Sequence, residues 1–206
     1  EHGGAAPVIL DDSADIDALV PKLAKGGFYH SGQVCVSVQR VFIMGDQTAE
    51  IASKLGDYSN NLVVGNAIYE KTECGPLIRN KEVDRVDTWV AEARKGGAKL
   101  ISGGRKISHS CYAPTVLLNP PKESEVSKSE IFGPVICLYE SESLSEAISR
   151  CNSLPFAFQA SIFSNDYSKI IEFFNSVDAS AVMINDHTAF RVDWMPFAGR
   201  GQSGYG

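Results

Sequence analysis

The sequence predicts an α/β protein: a mostly parallel sheet flanked by helices on both faces, a three-layer αβα arrangement. Three observations carry that expectation. Short apolar runs alternate along the chain with segments of helical period. The last of them follow the order strand, helix, strand, helix, strand, which favours parallel pairing through right-handed crossovers. The chain also has 206 residues, 44% of them hydrophobic, enough for one sizeable core. No internal repeat or low-complexity linker interrupts it, so one domain over 1–206 is the simpler organisation.

Taken in order, Val8-Ile9-Leu10 reads as a short strand. Ser13-Ala14-Asp15-Ile16 opens a helix whose acidic first turn suits the helix dipole. Val38 to Met44 reads as a second strand and Thr48 to Leu55 as a short helix. From Lys81 to Lys95, the apolar residues Val83, Val86, Trp89, Val90 and Ala93 recur near helical period, and Gly96-Gly97 is a normal stop. Strands are expected at 99–102, 115–118, 135–139, 160–163 and 181–184, with helices at 143–151 and 167–176 between the last three. Gly3-Gly4 and Gly103-Gly104 read as turn material. Neither G-x-G-x-x-G after a strand nor G-x-x-x-x-G-K-[ST] occurs, so this segment holds no pyrophosphate in either standard way.

Composition narrows the function. A formal charge of −6 argues against a nucleic-acid partner. No apolar run approaches the roughly 18–20 residues that span a bilayer, so no membrane partner is expected. The five cysteines (Cys35, Cys74, Cys111, Cys137, Cys151) are odd in number and lack C-x-x-C spacing, against a zinc ribbon or a disulfide framework. Cys137 and Cys151 read as small buried hydrophobes, and the setting as reducing and cytoplasmic. The four histidines lack metal spacing, and no metal is expected.

Two groups suit covalent acyl chemistry. Cys35 ends Ser31-Gly32-Gln33-Val34-Cys35, a glycine-bearing turn where polar residues replace the apolar ones a core helix would want. A thiol there can be exposed, and its own backbone N–H can help stabilise an oxyanion. Glu1, in Glu1-His2-Gly3-Gly4, is a carboxylate able to activate water. Glu130 and Phe132 stand two apart before Gly133-Pro134-Val135, a rigid loop entering a strand; the plain alternative puts Phe132 in the core and Glu130 in solvent. His30 lies five before Cys35, an offset that does not suit a Cys–His dyad on a helix.

In order, Glu1-His2-Gly3-Gly4, Gly32-Gln33-Val34-Cys35, Glu130-Ile131-Phe132-Gly133-Pro134-Val135, Asn185, and Pro196-Phe197-Ala198-Gly199 with Ser203-Gly204 resemble the signature segments of the aldehyde dehydrogenase superfamily. Gly75-Pro76-Leu77-Ile78, Gly97-Ala98-Lys99 and Ala113-Pro114-Thr115-Val116 fill the gaps, so the resemblance covers essentially the whole chain. It implies an NAD- or NADP-dependent oxidation of an aldehyde to a carboxylic acid. Cys35 would form the thiohemiacetal and then the thioester, and Glu1 would activate the deacylating water. Glu130 would hold the nicotinamide ribose, Phe132 would pack at the nicotinamide side, and Asn185 would position groups at the substrate end.

Departures from the pattern are His2 for leucine, Ala198 for a glycine, Ser180 for a glycine, and Pro155-Phe156-Ala157-Phe158 where a Tyr-Gly-Leu-like stretch is usual. The resemblance also implies a dinucleotide-binding half and a C-terminal oligomerisation tail outside these residues. The chain then reads as an isolated catalytic domain with little activity of its own, and the full-length protein as a homodimer or homotetramer. Arg191, between Asn185 and Pro196, is a candidate for pairing with an anionic group on the substrate; the alternative is a salt bridge to Asp193 or plain solvation. Tyr29, Phe190 and Trp194 are candidates for an apolar tunnel wall. Two other functions use the same residues: a CoA-acylating enzyme or thiol acyltransferase, disfavoured by Glu1, and a non-catalytic protein on the same fold.

Overall fold

The computed structural model describes residues 3–205. Glu1, the base expected from the sequence, lies outside them. In chain order the elements are β1 (Pro7–Leu10), α1 (Ile16–Phe28), β2 (Arg40–Met44), α2 (Thr48–Asn61), α3 (Asn80–Lys95), β3 (Lys99–Ser102), β4 (Thr115–Leu118), α4 (Glu125–Lys128), β5 (Val135–Ser141), α5 (Leu144–Cys151), β6 (Phe156–Ala157), β7 (Gln159–Phe163), α6 (Tyr167–Ser176), β8 (Ala181–Ile184) and β9 (Arg200–Gly201).

Strand alternation builds the layers, because successive side chains point to opposite faces. Val8, Leu10, Val41, Ile43, Ile136 and Leu138 pack with Leu19 and Leu23 of α1 and Ile51 and Leu55 of α2. Ile9, Phe42, Cys137 and Tyr139 face the other way, onto Val83, Val86 and Val90 of α3, Ala147 of α5 and Phe173 of α6. One sheet with two apolar faces thus lies between two helical layers. Its order is β3-β4-β5-β2-β1-β7-β8, with β3 antiparallel to β4 and every other pair parallel.

The expected elements are present, with shifted ends. The first helix begins at Ile16, not near Ser13, because Asp15 caps it by accepting from the N–H groups of Asp17 and Ala18 at 3.0 and 3.2 Å. The helix from Thr48 runs on through Gly56 to Asn61; glycine fits at 56 because Ile101 packs where a Cβ would stand. In the run β5-α5-β7-α6-β8, only β7 and β8 are neighbours, since β2 and β1 stand between β5 and β7. Among the described residues no helix is long and apolar enough to cross a membrane.

Candidate active site

The segment after α1 turns through three successive left-handed residues, His30 (φ 51°), Ser31 (φ 57°) and Gly32 (φ 68°). Two of these are not glycine, a backbone cost that needs support from outside the turn. The polar side chains supply it. Ser31 Oγ donates to the Gly75 carbonyl at 2.7 Å, Gln33 Nε2 to the Pro76 carbonyl at 3.3 Å, and the Ile78 N–H donates to Gln33 Oε1 at 2.8 Å. Gly32 has a second reason: a Cβ there would collide with the Gly133 carbonyl, so the Cys35 turn and the Glu130 loop touch backbone to backbone.

Cys35 follows on a turn closed by the Ser37 N–H donating to the Val34 carbonyl at 2.9 Å. Thr188 Oγ1 holds the next residue, donating to the Val36 carbonyl at 2.7 Å. All five cysteines are unbridged; Cys35 is half-buried and the other four are buried. Burial pushes the thiols of Cys137 and Cys151 up to about 12, despite arginines nearby, and pushes Cys74 up as well. Around Cys35 stands an apolar wall of Tyr29, Val34, Val36, Phe158 and Ala189. Burial and the neighbouring Cys35 raise the Tyr29 hydroxyl. Phe197 packs on Phe158 with ring centroids 4.8 Å apart, and the Arg191 guanidinium lies 4.8 Å from the Phe197 centroid. No carboxylate pairs with Arg191 among the described residues. Of the other aromatic candidates, Tyr29 joins this wall, whereas Phe190 and Trp194 are exposed.

The Glu130 loop is suspended by side chains from two elements. Gln39, buried just before β2, donates to the carbonyls of Ser129 (2.7 Å) and Val126 (3.3 Å) and accepts from the Ile131 N–H (3.0 Å). Arg85 of α3 donates to the Ile131 carbonyl at 2.7 Å. Phe132 follows with φ 47° and is 40% exposed, so the loop holds its ring outside the core. It borders a cleft shared with Gln33, Ile78 and Glu73.

Gly3 and Gly4 do more than make a turn. The Gly4 N–H donates to Glu130 Oε1 at 3.0 Å, and a Cβ on Gly3 would lie 2.7 Å from Glu130 Oε2. A Cβ on Gly4 would strike the Cys35 carbonyl. Gly3 and Gly4 therefore pass between the Cys35 turn and the Glu130 carboxylate, with room for backbone alone. Cys35, Glu130 and Phe132 are brought together here, and Arg191 reaches the wall through Phe197.

Asn185 is elsewhere. It follows β8 at the C-terminal end of the sheet, and its amide exchanges bonds with the Ser164 backbone at 2.9 and 3.0 Å. Its carbonyl accepts from Lys22 Nζ at 2.6 Å. Asn185 thus anchors the start of the return that delivers Thr188 to the Cys35 turn.

Gln39 and Thr188 were not anticipated from the sequence. Gln39 left one clue, a neutral amide inside an otherwise apolar approach to a strand; Thr188 left none. No group of His, Cys, Asp or Glu among the described residues could hold a metal ion.

The half-buried Cys35 thus stands on a strained turn that abuts a carboxylate loop displaying an aromatic ring. The sequence matches the aldehyde dehydrogenase family over residues 1–206. It is 34% identical to 3-sulfolactaldehyde dehydrogenase of Priestia aryabhattai across all of this chain and 43% of that protein. The fold superposes with a TM-score of 0.95 on aldehyde dehydrogenase 21 of Physcomitrella patens in complex with the reaction product succinate, at 35% identity, covering 98% of this chain and 42% of that one. It superposes equally well, at 0.95, on glyceraldehyde-3-phosphate dehydrogenase GapN of Methanocaldococcus jannaschii complexed with NADP, at 34% identity over 99% of this chain and 44% of that one. The chain thus spans less than half the length of these relatives. The family match covers the whole sequence and the superpositions nearly all of the fold, so the chain belongs to the aldehyde dehydrogenase family.

Proposed function

We propose that this chain is the nucleophile-bearing domain of an NAD- or NADP-dependent enzyme that oxidises an aldehyde to a carboxylic acid. The single observation that carries the reading is the half-buried Cys35 on a turn packed against the Glu130–Phe132 loop. Cys35 Sγ adds to the aldehyde carbon to form a thiohemiacetal, and its oxidised form is a thioester. Glu1 takes a proton from the water that cleaves the thioester, releasing the acid and the thiolate. The nicotinamide cofactor, when bound, supplies the hydride acceptor.

Residues of this chain fit that group. Phe132 offers an exposed ring beside the cleft, and the Glu130 carboxylate, which accepts from the Gly4 N–H, is an acceptor of the kind a ribose hydroxyl requires. Gly3 lies so close to Glu130 that it could carry no side chain there. NADP in one solved relative supports the same cofactor class. Asn185 acts as a positioning residue through Ser164. The full-length protein is read as a cytoplasmic homodimer or homotetramer.

Arg191 sets a preference for aldehydes with an anionic tail. Its guanidinium lies over Phe197 on the wall next to Cys35 and pairs with no carboxylate among the described residues. Succinate, a dicarboxylate, in one solved relative supports this.

Reversible thiohemiacetal formation needs no cofactor, so the test uses this chain alone. A short aldehyde bearing a carboxylate should slow alkylation of Cys35 and leave Cys74 unaffected. In Arg191→Ala, protection by the acidic aldehyde should weaken about tenfold, equivalent to ~1.4 kcal/mol, with little change for a neutral aldehyde. Equal weakening for both would remove Arg191 from substrate recognition, and no protection by either would remove Cys35 as nucleophile. With a cofactor-binding half supplied, a CoA thioester as product in place of the free acid would favour the acyl-transfer alternative.

A further inference from the structure

A cationic cavity opens beside α5, on the sheet face covered by α3, α5 and α6. Its anchor is Arg40, the first residue of β2, only 3% exposed. The guanidinium donates from Nε to the Ala5 carbonyl (3.1 Å), from Nη1 to Arg150 (3.0 Å) and from Nη2 to Cys151 (3.1 Å). The last two carbonyls end α5, so the cation lies at the negative end of that helix. No carboxylate pairs with it among the described residues. A guanidinium has five N–H donors, and these bonds use three. Burial works against its charge and lowers its pKa.

Arg40 lines this open cavity together with Arg150 and Lys122. Arg150 lies over Phe42 and Tyr139, 4.8 and 5.0 Å from their centroids, and those rings stack 5.3 Å apart as a rigid floor. Lys122 is 91% exposed, and its one ion-pair contact, with Glu123, is 3.9 Å long. The carboxylate in the lining, Glu146, is already engaged. It accepts from the Glu142 N–H at 2.7 Å, Ser141 Oγ at 3.1 Å and Arg150 Nη1 at 3.4 Å. Three cations thus face one committed anion, in a chain whose net charge is −6.

We propose that this cavity is an oxyanion site that takes the carboxylate or phosphate group of a small organic anion between Arg40, Arg150 and Lys122. Two N–H groups of Arg40 remain for an acceptor, and a guanidinium fork matches the paired oxygens of either group. The stacked floor holds Arg150 in place, so little side-chain freedom is lost on binding. Lys122 closes the open side as a mobile charge. The site stands apart from Cys35 and does not depend on the aldehyde chemistry.

Calorimetric titration of the 206-residue chain with inorganic phosphate, and separately with acetate, at ionic strength held constant with sodium chloride, tests the assignment. One or both anions should bind saturably at one site, with Kd of about 1 mM. Phosphate alone or acetate alone would identify which group the site takes. Lys122→Gln and Arg150→Gln should each weaken binding tenfold or more. Lys122→Gln, at an exposed position, should leave thermal unfolding without ligand unchanged; Arg40→Gln is not relied on, because it strips the end of α5. Absence of saturable heat from both anions, or binding that survives both substitutions, overturns the site. A dimer that phosphate dissociates into monomers in sedimentation would identify the occupant as an acidic side chain of a second copy and overturn the small-anion assignment.

Discussion

A thiol must meet solvent before it can meet a reagent, and burial separates Cys35 from the four others. Iodoacetamide should therefore label Cys35 at least tenfold faster than Cys74 or Cys111 in the folded chain, read by peptide mass spectrometry. Equal rates would return Cys35 to a structural role. Thr188→Val keeps the shape of the side chain but leaves the Val36 carbonyl without its donor, at a cost of about 1–2 kcal/mol. It should also alter the Cys35 alkylation rate, and Thr188→Ser should restore it; an unchanged rate would show that the turn holds without Thr188. His187 is 7% exposed, and burial holds its pKa below the ordinary 6.5. Its neutral ring therefore contributes stability that is complete above 6.5 and lost as pH falls through the lower folded value. An NMR titration midpoint for His187 above 6.5 would reverse that sign. Cys35, Glu130 and Phe132 could be singled out in the sequence because each is a reactive or conspicuous residue type in a glycine-rich setting. Gln39 and Thr188 could not, because they act on backbone groups 87 to 152 residues away.

Between elements, clearance and charge decide. Gly32→Ala would put a methyl group into the Gly133 carbonyl at φ 68°, and should cost roughly 2–3 kcal/mol while separating the Cys35 turn from the Glu130 loop. Loss of thermal stability together with faster amide exchange at Ile131 would report both effects; a wild-type melting curve would contradict them. At the other end of the sheet, Asp11 after β1 accepts from Lys169 Nζ (2.5 Å), Ser13 Oγ (2.5 Å) and Ser164 Oγ (2.8 Å). Burial alone would raise its pKa, but these bonds outweigh it and hold the carboxyl well below the usual range. The stabilisation is thus complete above about pH 4 and lost as pH falls through the depressed value. Asp11→Asn should cost about 2 kcal/mol at neutral pH, with the gap to wild type narrowing in acid; a pH-independent gap would count against it. Element identities were legible because apolar period reports which face is buried. The β6–β9 ribbon was not, since strands two residues long carry no period.

At the scale of the molecule, strand order escaped the sequence because a crossover helix does not state how many strands it passes; α5 carries the chain past β2 and β1 before β7 begins. That order places the segments before β1, β2 and β5 side by side, so Gly4, Cys35 and Glu130 meet at the N-terminal ends of parallel strands. Open α/β sheets more often bind ligands at the carboxyl ends, which here the Asp11, Ser164, Lys169 and Asn185 contacts close. On the proposed reading of these 206 residues as the nucleophile-bearing domain, they alone, given aldehyde and NAD or NADP, should form almost no reduced cofactor. A rate matching that of an intact family enzyme would overturn this. The frame and the wall of the Cys35 site are built by different residues, interleaved along the chain. Gly4, Gly32 and Thr188 set where the sulfur stands, whereas Tyr29, Phe158, Phe197 and Arg191 set what lies in front of it. Under the proposed function, substitutions in the second group would change which aldehyde fits in front of the sulfur while the first group keeps the sulfur in place, so substrate preference and reactivity could vary separately within one domain.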